Sequence, residues 1–229
     1  MTHVQTTPPA GPVAVTRVAL RPIASPLPVG FLALAIATLA FASVQLEWIP
    51  ATEGHTVALG VLVLTVPLQF LAAVMGFLAR DPVAATGMGV LSGTWAAVCL
   101  ITLNSPPGGT SDGLGVVLLC CAGALLVPAA GARSKVVPAA VVLLSATRFA
   151  VTGIAQLDGS DAWLQAAGWV GVALAVVSLY AALALELENS ESRAILPLGR
   201  MGASRQAVEG TLAEQVDGIA NEPGIRRQL

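Results

Sequence analysis

The sequence predicts an all-α, polytopic membrane protein with six transmembrane helices per protomer and both termini in the cytoplasm. Three observations carry this. The first is composition: of 229 residues, 55% are hydrophobic and 10% charged, with a mean hydropathy of +0.81. A soluble domain is about 25% charged, and a chain of this size buries only about 70% of its unfolded surface, too little to hide such an apolar excess. The second is a division into six apolar stretches, most of them close to the ~20 residues that cross a ~30 Å hydrocarbon core. The third is the side on which the cations fall.

Residues 1–24 contain Arg17 and Arg21 but no apolar core of a secretory signal, and are expected to form a flexible cytosolic lead. The membrane domain then occupies residues 25–199. Its spans are expected at 29–44, 57–78, 83–103, 114–131, 136–155 and 163–185. None alternates with period two over its length, which excludes barrel strands. Pro82 follows Arg80-Asp81 and is suited to the first turn of the third helix. Pro67 and Pro128 lie within spans, where each removes one backbone hydrogen bond, a loss that bundles tolerate when neighbouring helices satisfy the freed carbonyl. Asn104-Ser-Pro-Pro-Gly-Gly and Leu157-Asp-Gly-Ser-Asp are turn signals between spans. Residues 200–229 form a polar cytosolic tail in which Val208, Leu212, Val216 and Ile219 recur at helical spacing. That tail reads either as a short amphipathic helix or as a loosely ordered solubilising segment.

Charge sets the orientation. Arg17, Arg21, Arg80, Arg133, Lys135, Arg193, Arg200, Arg205, Arg226 and Arg227 all fall on one side of the six-span map. The opposite loops hold Glu47, Glu53, Asp112, Asp158 and Asp161 and no cation. Positive-inside logic places the basic side in the cytoplasm. Of the 11 cations only Arg148 lies within a span, at a depth that costs between ~2.5 and more than ~10 kcal/mol on an isolated helix. It reads either as an anion-attracting residue beside a permeation path or as a side chain snorkelling to the outer surface.

Gln69 is the next polar residue at depth, placed either to hydrogen-bond a carboxylate in transit or to tie two helices together. Thr86, Ser92 and Thr94 on the third span are expected to bond their own backbone. Gly89 and Gly93 make a GxxxG pair that permits close helix contact. Cys99, Cys120 and Cys121 lie in apolar runs far from His3 and His55, so a metal site is not expected and the thiols serve as small apolar fillers. No phosphate-binding GxxxxGK[ST] loop, no Ser-His-Asp set and no paired intramembrane carboxylate is present. The sequence thus predicts no enzyme and no cofactor. With a net charge of −2 it offers no basic field for nucleic acid.

The end of the membrane domain reads Ala167-Gly168-Trp169-Val170-Gly171, then Tyr180, then Arg193-Ala-Ile-Leu196-Pro197-Leu-Gly199. This resembles, without gaps, the sixth-span and post-span signature of the acetate uptake transporter family, the succinate–acetate permease-like proteins. Ser25-Pro26-Leu27-Pro28-Val29-Gly30 is similar to that family's opening motif. Gln69, Thr86, Trp95 and Gly131 coincide with family positions. Leu34 and Leu91 stand where the family narrows its path with aromatic side chains, and Arg148 where an apolar residue is usual. Gly76 replaces an acidic residue, and Arg80-Asp81-Pro82-Val83-Ala84 replaces a G-N-T-F-G run.

The resemblance implies six-helix protomers, each with its own path through the bilayer, assembled as homo-oligomers, often hexamers. It also implies a small-carboxylate substrate such as acetate or succinate. Leu34, Gln69, Thr86, Leu91 and Arg148 are the expected path residues. The expected function is transport by a proton-coupled carrier or channel-like facilitator in the cytoplasmic membrane. The departures motivate an alternative, a membrane sensor or scaffold that keeps the bundle without the path.

Overall fold

The structure, a computed structural model, describes residues 23–205 apart from 192 and 203. Most of the expected N-terminal lead and the stretch 208–219 of the tail lie outside the described residues. Six helices are present: α1 (Leu27–Gln45), α2 (Gly54–Leu78), α3 (Pro82–Leu103), α4 (Asp112–Gly131), α5 (Val136–Asp158) and α6 (Asp161–Glu191). All six are long and apolar enough to cross a membrane. Among the described residues there is no β-strand, only an isolated bridge between Lys135 and Arg200. With no water in the bilayer core to satisfy backbone N–H and C=O groups, helices are the form open to such segments.

Local sequence accounts for the helix ends. Pro82 opens α3, and the Asp81 carboxylate accepts from the Ala84 N–H at 3.0 Å. Ser111 caps α4 in the same way, accepting from the Leu114 N–H at 3.3 Å. α5 has no side-chain cap. Its first N–H groups, on Val136 and Val137, donate to the Gly199 and Leu198 carbonyls, each at 3.1 Å. α5 stops at Gly159, whose φ of 66° an L side chain rarely adopts. α6 runs past the apolar stretch to Glu191, because Glu186, Leu187 and Glu188 favour helix while their charges extend it beyond the apolar layer.

Each helix packs against its sequence neighbours, and α6 closes on α1, so the six form a ring. Apolar side chains point outward as well as inward: Phe70, Phe77 and Val127 are 63%, 67% and 73% exposed. A surface of that kind is stable against lipid and would associate in water.

Small residues bring backbones together. A Cβ at Gly76 would lie 2.6 Å from Ala85 N and 2.9 Å from Ala85 Cα, so α2 and α3 cross where only glycine fits. The turn between these helices places Arg80 at φ 55°. Hydroxyls stitch other seams: Thr65 Oγ1 donates to the Ala33 carbonyl at 3.0 Å, and Thr38 Oγ1 to that of Gly171 at 3.4 Å. Thr86 and Thr94 bond their own helix as expected, to the Pro82 and Val90 carbonyls at 2.7 Å. Ser92 differs. It faces α2 and donates to the Val66 carbonyl at 2.9 Å, because its position on α3 is buried against that helix.

Candidate functional site

The ring encloses two adjoining layers of side chains. In the first, Leu34 of α1, Leu91 of α3 and Gln69 of α2 are all 0% exposed. At 1.5 Å per residue they lie about 10–14 Å from the ends of their helices on the basic side, so they share a similar depth. Leu34 and Leu91 belong to one apolar cluster with Phe31, Met88 and Trp95. Gln69 Nε2 points at the Gly30 carbonyl of α1 across 3.5 Å, and its Oε1 has no partner. The amide thus reaches across the α1–α2 seam but makes only a long contact there.

The second layer lies roughly 18–21 Å along the helices, towards the acidic loops. Trp95 of α3 stacks on Phe41 of α1 and meets Phe149 of α5 edge-on, with ring centroids 5.5 Å apart in both pairs. Arg148 lies next to them. Its Nη1 donates to the Ala167 carbonyl of α6 and contacts Thr152 Oγ1 at 3.4 Å, while Nε has no partner. The guanidinium is 2% exposed, which removes the snorkelling alternative: Arg148 points into the bundle. No ion pair to a carboxylate forms at Arg148 among the described residues. A small cavity of about 20 Å³ opens beside it, lined also by Gln45, Trp95 and Thr152. A fixed cation in a low-dielectric layer with no counter-charge attracts anions, and the apolar walls limit its hydration.

The AGWVG motif explains why an arginine fits here. A Cβ at Gly171 would stand 2.9 Å from Arg148 Nε and 3.0 Å from Cζ, so any side chain at that position displaces the guanidinium. Gly168 gives the same room to Leu46. Trp169 faces outward, 60% exposed, and meets Trp48 edge-on at 6.2 Å, in the manner of interfacial aromatics. The rest of the motif forms a strap beneath α5 and α6. The Tyr180 hydroxyl donates to the Pro197 carbonyl at 2.9 Å. Gly199, at φ 63°, and Leu198 supply the carbonyls that cap α5, and Leu196 packs on the core. Arg200 pairs with Glu188, while Arg193 is exposed and only 4.0 Å from Glu191. These signature residues hold the fold together at one end and do not line the cavity. At the other end of the signature, Ser25 and Pro26 lead into α1, where the Pro26 carbonyl accepts from Gly30 N–H at 3.3 Å and Gly30 lies against Met88.

The structure therefore gathers Leu34, Leu91 and Gln69 in one layer and Arg148 in the next. Thr86 does not join them. It is exposed on the outer face of α3 and its hydroxyl is engaged with its own backbone, so within a protomer it is separate from the other expected path residues. Phe41, Gln45, Phe149 and Thr152 complete the second layer and were not singled out by the sequence.

A closed ring of six helices, each long and apolar enough to cross a membrane, with Arg148 the one buried cation among the described residues, defines a polytopic membrane bundle. Residues 8–202 match the GPR1/FUN34/yaaH family, and the chain belongs to that family. It is the acetate transporter family to which the terminal motif pointed. Among solved structures, the chain is similar to one described as the bacterial acetate channel SatP, at 19% identity and a TM-score of 0.68, covering 77% of this chain and 99% of that one. No curated protein sequence matches this chain.

Proposed function

We propose that the protein carries a small carboxylate across the cytoplasmic membrane, through a path inside each protomer of a homo-oligomer, with both termini cytoplasmic. The observation that carries this reading is Arg148, a cation sealed inside the ring beside a cavity with no carboxylate paired to it. Family membership supports it, as does the shared fold with a channel described as conducting acetate. The hexamer is the assembly that the family resemblance implies. The basic residues Arg80, Arg133, Lys135 and Arg200 occupy one end of the ring and support the orientation.

In this mechanism the carboxylate approaches from the acidic-loop end and is held beside Arg148. It then crosses the Leu34–Leu91 layer, which excludes water when closed, in the manner of a hydrophobic constriction. Gln69, with an unpaired amide oxygen at the same depth, replaces part of the substrate's hydration as it passes. No Asp, Glu or His is buried among the described residues, so a coupled proton travels on the substrate, as the neutral acid, and not on a side chain. The complete burial of Leu34 and Leu91 favours a second reading, a bundle that has lost its path and acts as a sensor or scaffold.

Uptake of labelled acetate and succinate into proteoliposomes separates the two readings. The transport reading predicts uptake well above empty vesicles, with counterflow when unlabelled acid is preloaded. Uptake indistinguishable from empty vesicles for every small carboxylate would favour the scaffold.

A further inference from the structure

The strap that follows α6 leaves an open cleft at the basic end of the ring. It holds about 210 Å³ of space, lined by Ala194, Leu196, Pro197 and Leu198, with Glu188, Arg200 and Arg205 around them. A cavity of ~150 Å³ holds a benzene-sized group, so the cleft has room for aliphatic side chains. The Arg200 guanidinium is taken up by Glu188 and Ser204, so the cleft offers packing and not anion capture. On the same stretch, Ile195 and Met201 are 42% and 52% exposed, past the last turn of α6 and therefore beyond the apolar span. Apolar groups at that level face water unless something covers them.

The chain itself provides an occupant. Ser204 and Arg205 are helical, and the sequence continues from Arg205, at the rim of the cleft, into residues 206–222, which lie outside the described residues. Val208, Leu212, Val216 and Ile219 form the stripe of that segment, and Pro223 sets its limit. Val208 is three residues from Arg205, so in any conformation it lies within about 11 Å of it. Charge points to the same partner. The segment carries Glu209, Glu214, Asp217 and Glu222 and no Lys or Arg. At the basic end, Arg80, Arg133, Lys135, Arg193, Arg200 and Arg205 outnumber Asp81, Glu186, Glu188 and Glu191 among the described residues. The acidity also argues against a lipid surface, because membrane-bound helices carry Lys and Arg on their polar face and the leaflet they meet is anionic. An isolated helix this short, with Gly210 and Gly218 in it, is marginal in water, so it is ordered by what it packs on.

We infer that residues 206–219 fold back as a short amphipathic helix, seating Val208 and Leu212 in the cleft and laying Val216 and Ile219 along the strap. The docked segment braces the loop whose Leu198 and Gly199 carbonyls cap α5. This goes beyond the transport reading and does not depend on it.

The test is hydrogen exchange on the full-length protein in detergent, read peptide by peptide. Amides of 206–219 should exchange about tenfold or more slowly than an unstructured chain. Leu212→Asp should return them to the unstructured rate. It should also speed exchange at Val136 and Val137, whose N–H groups are held by the strap, several-fold. Exchange of the wild-type segment at the unstructured rate overturns the inference. So does protection that survives Leu212→Asp, or that appears only when vesicles of anionic lipid are added. A cross-link identifies the partner. With Cys99, Cys120 and Cys121 replaced by alanine, Ala194→Cys combined with Val208→Cys or Leu212→Cys should form a disulfide within one chain under mild oxidation. If the disulfide forms only between chains that each carry one of the two thiols, the tail docks on a second copy and the inference fails. It fails equally if neither pair cross-links.

Discussion

Arg148→Gln should reduce acetate flux at low substrate concentration by about ten- to a hundredfold in proteoliposomes of matched protein content. A hydrogen bond to a charged group contributes about 1.5–3 kcal/mol, and each 1.4 kcal/mol is a factor of ten in occupancy. Glutamine keeps a donor but loses the charge that concentrates anions in a layer walled by Phe41, Trp95 and Phe149. The fold should survive, because replacing a buried cation with a neutral amide removes a desolvation penalty at the same time as it removes the bond to the Ala167 carbonyl. The variant should therefore elute as a single peak at the wild-type position. Wild-type flux in well-folded Arg148→Gln protein would show that the cation serves only to tie α5 to α6.

Gly76→Val is expected to have the largest effect on folding. The new Cβ alone would meet Ala85 N at 2.6 Å, Ala85 Cα at 2.9 Å and Ala84 C at 3.1 Å, all of them backbone that cannot rotate away. α2 and α3 must then separate, at a cost of about 3 kcal/mol or more for overpacking without relief. Detergent-solubilised protein should lose its monodisperse peak or melt many degrees lower. The control lies on the same helix: a Cβ at Gly60 would meet nothing within 4 Å, so that position should accept valine with almost no change. Equal melting temperatures for the two variants would mean that α2 and α3 do not cross closely at Gly76.

Much of the architecture was legible in the amino-acid sequence, because lipid imposes a simple length rule on each span. The six apolar runs correspond to six helices, and Pro82 opens α3 as its fixed φ requires. What escaped was anything that depends on two helices meeting. The GxxxG pair at Gly89 and Gly93 suggested a close crossing, yet Gly89 meets only Ala73 Cβ at 3.8 Å and Gly93 meets nothing within 4 Å. The close crossings fall at Gly76 and at Gly115 against Gly153, where a Cβ on either would come within 3.0 Å of the other's carbonyl oxygen. In a chain with 23 glycines, one sequence does not say which of them face one another.

The candidate site divides in the same way. Arg148 stood out because a charge in hydrocarbon is costly and uncommon. Phe41 and Phe149 did not, since an aromatic on an apolar helix faces lipid as readily as the core. Thr86 entered the expected path by its position along the chain, but at about 100° per residue it sits about 140° round α3 from Leu91, and so on the outside. Met88, Leu91 and Trp95, spaced three and four apart, share the inner face. The terminal signature was legible as a pattern, while its role as a strap capping α5 required the Gly199 and Leu198 carbonyls to be located.

The central claim is that substrate passes within a single protomer, between Leu34 and Leu91. The most direct measurement places a thiol on that passage: Leu91→Cys in a background where Cys99, Cys120 and Cys121 are alanine, treated with a small anionic methanethiosulfonate while acetate uptake is followed. A path through this layer predicts that the thiol is modified from the water phase, that excess acetate slows the modification, and that uptake falls in step with it. Acetate uptake that continues at full rate, whether Leu91→Cys is fully modified or never reached, would place the passage elsewhere.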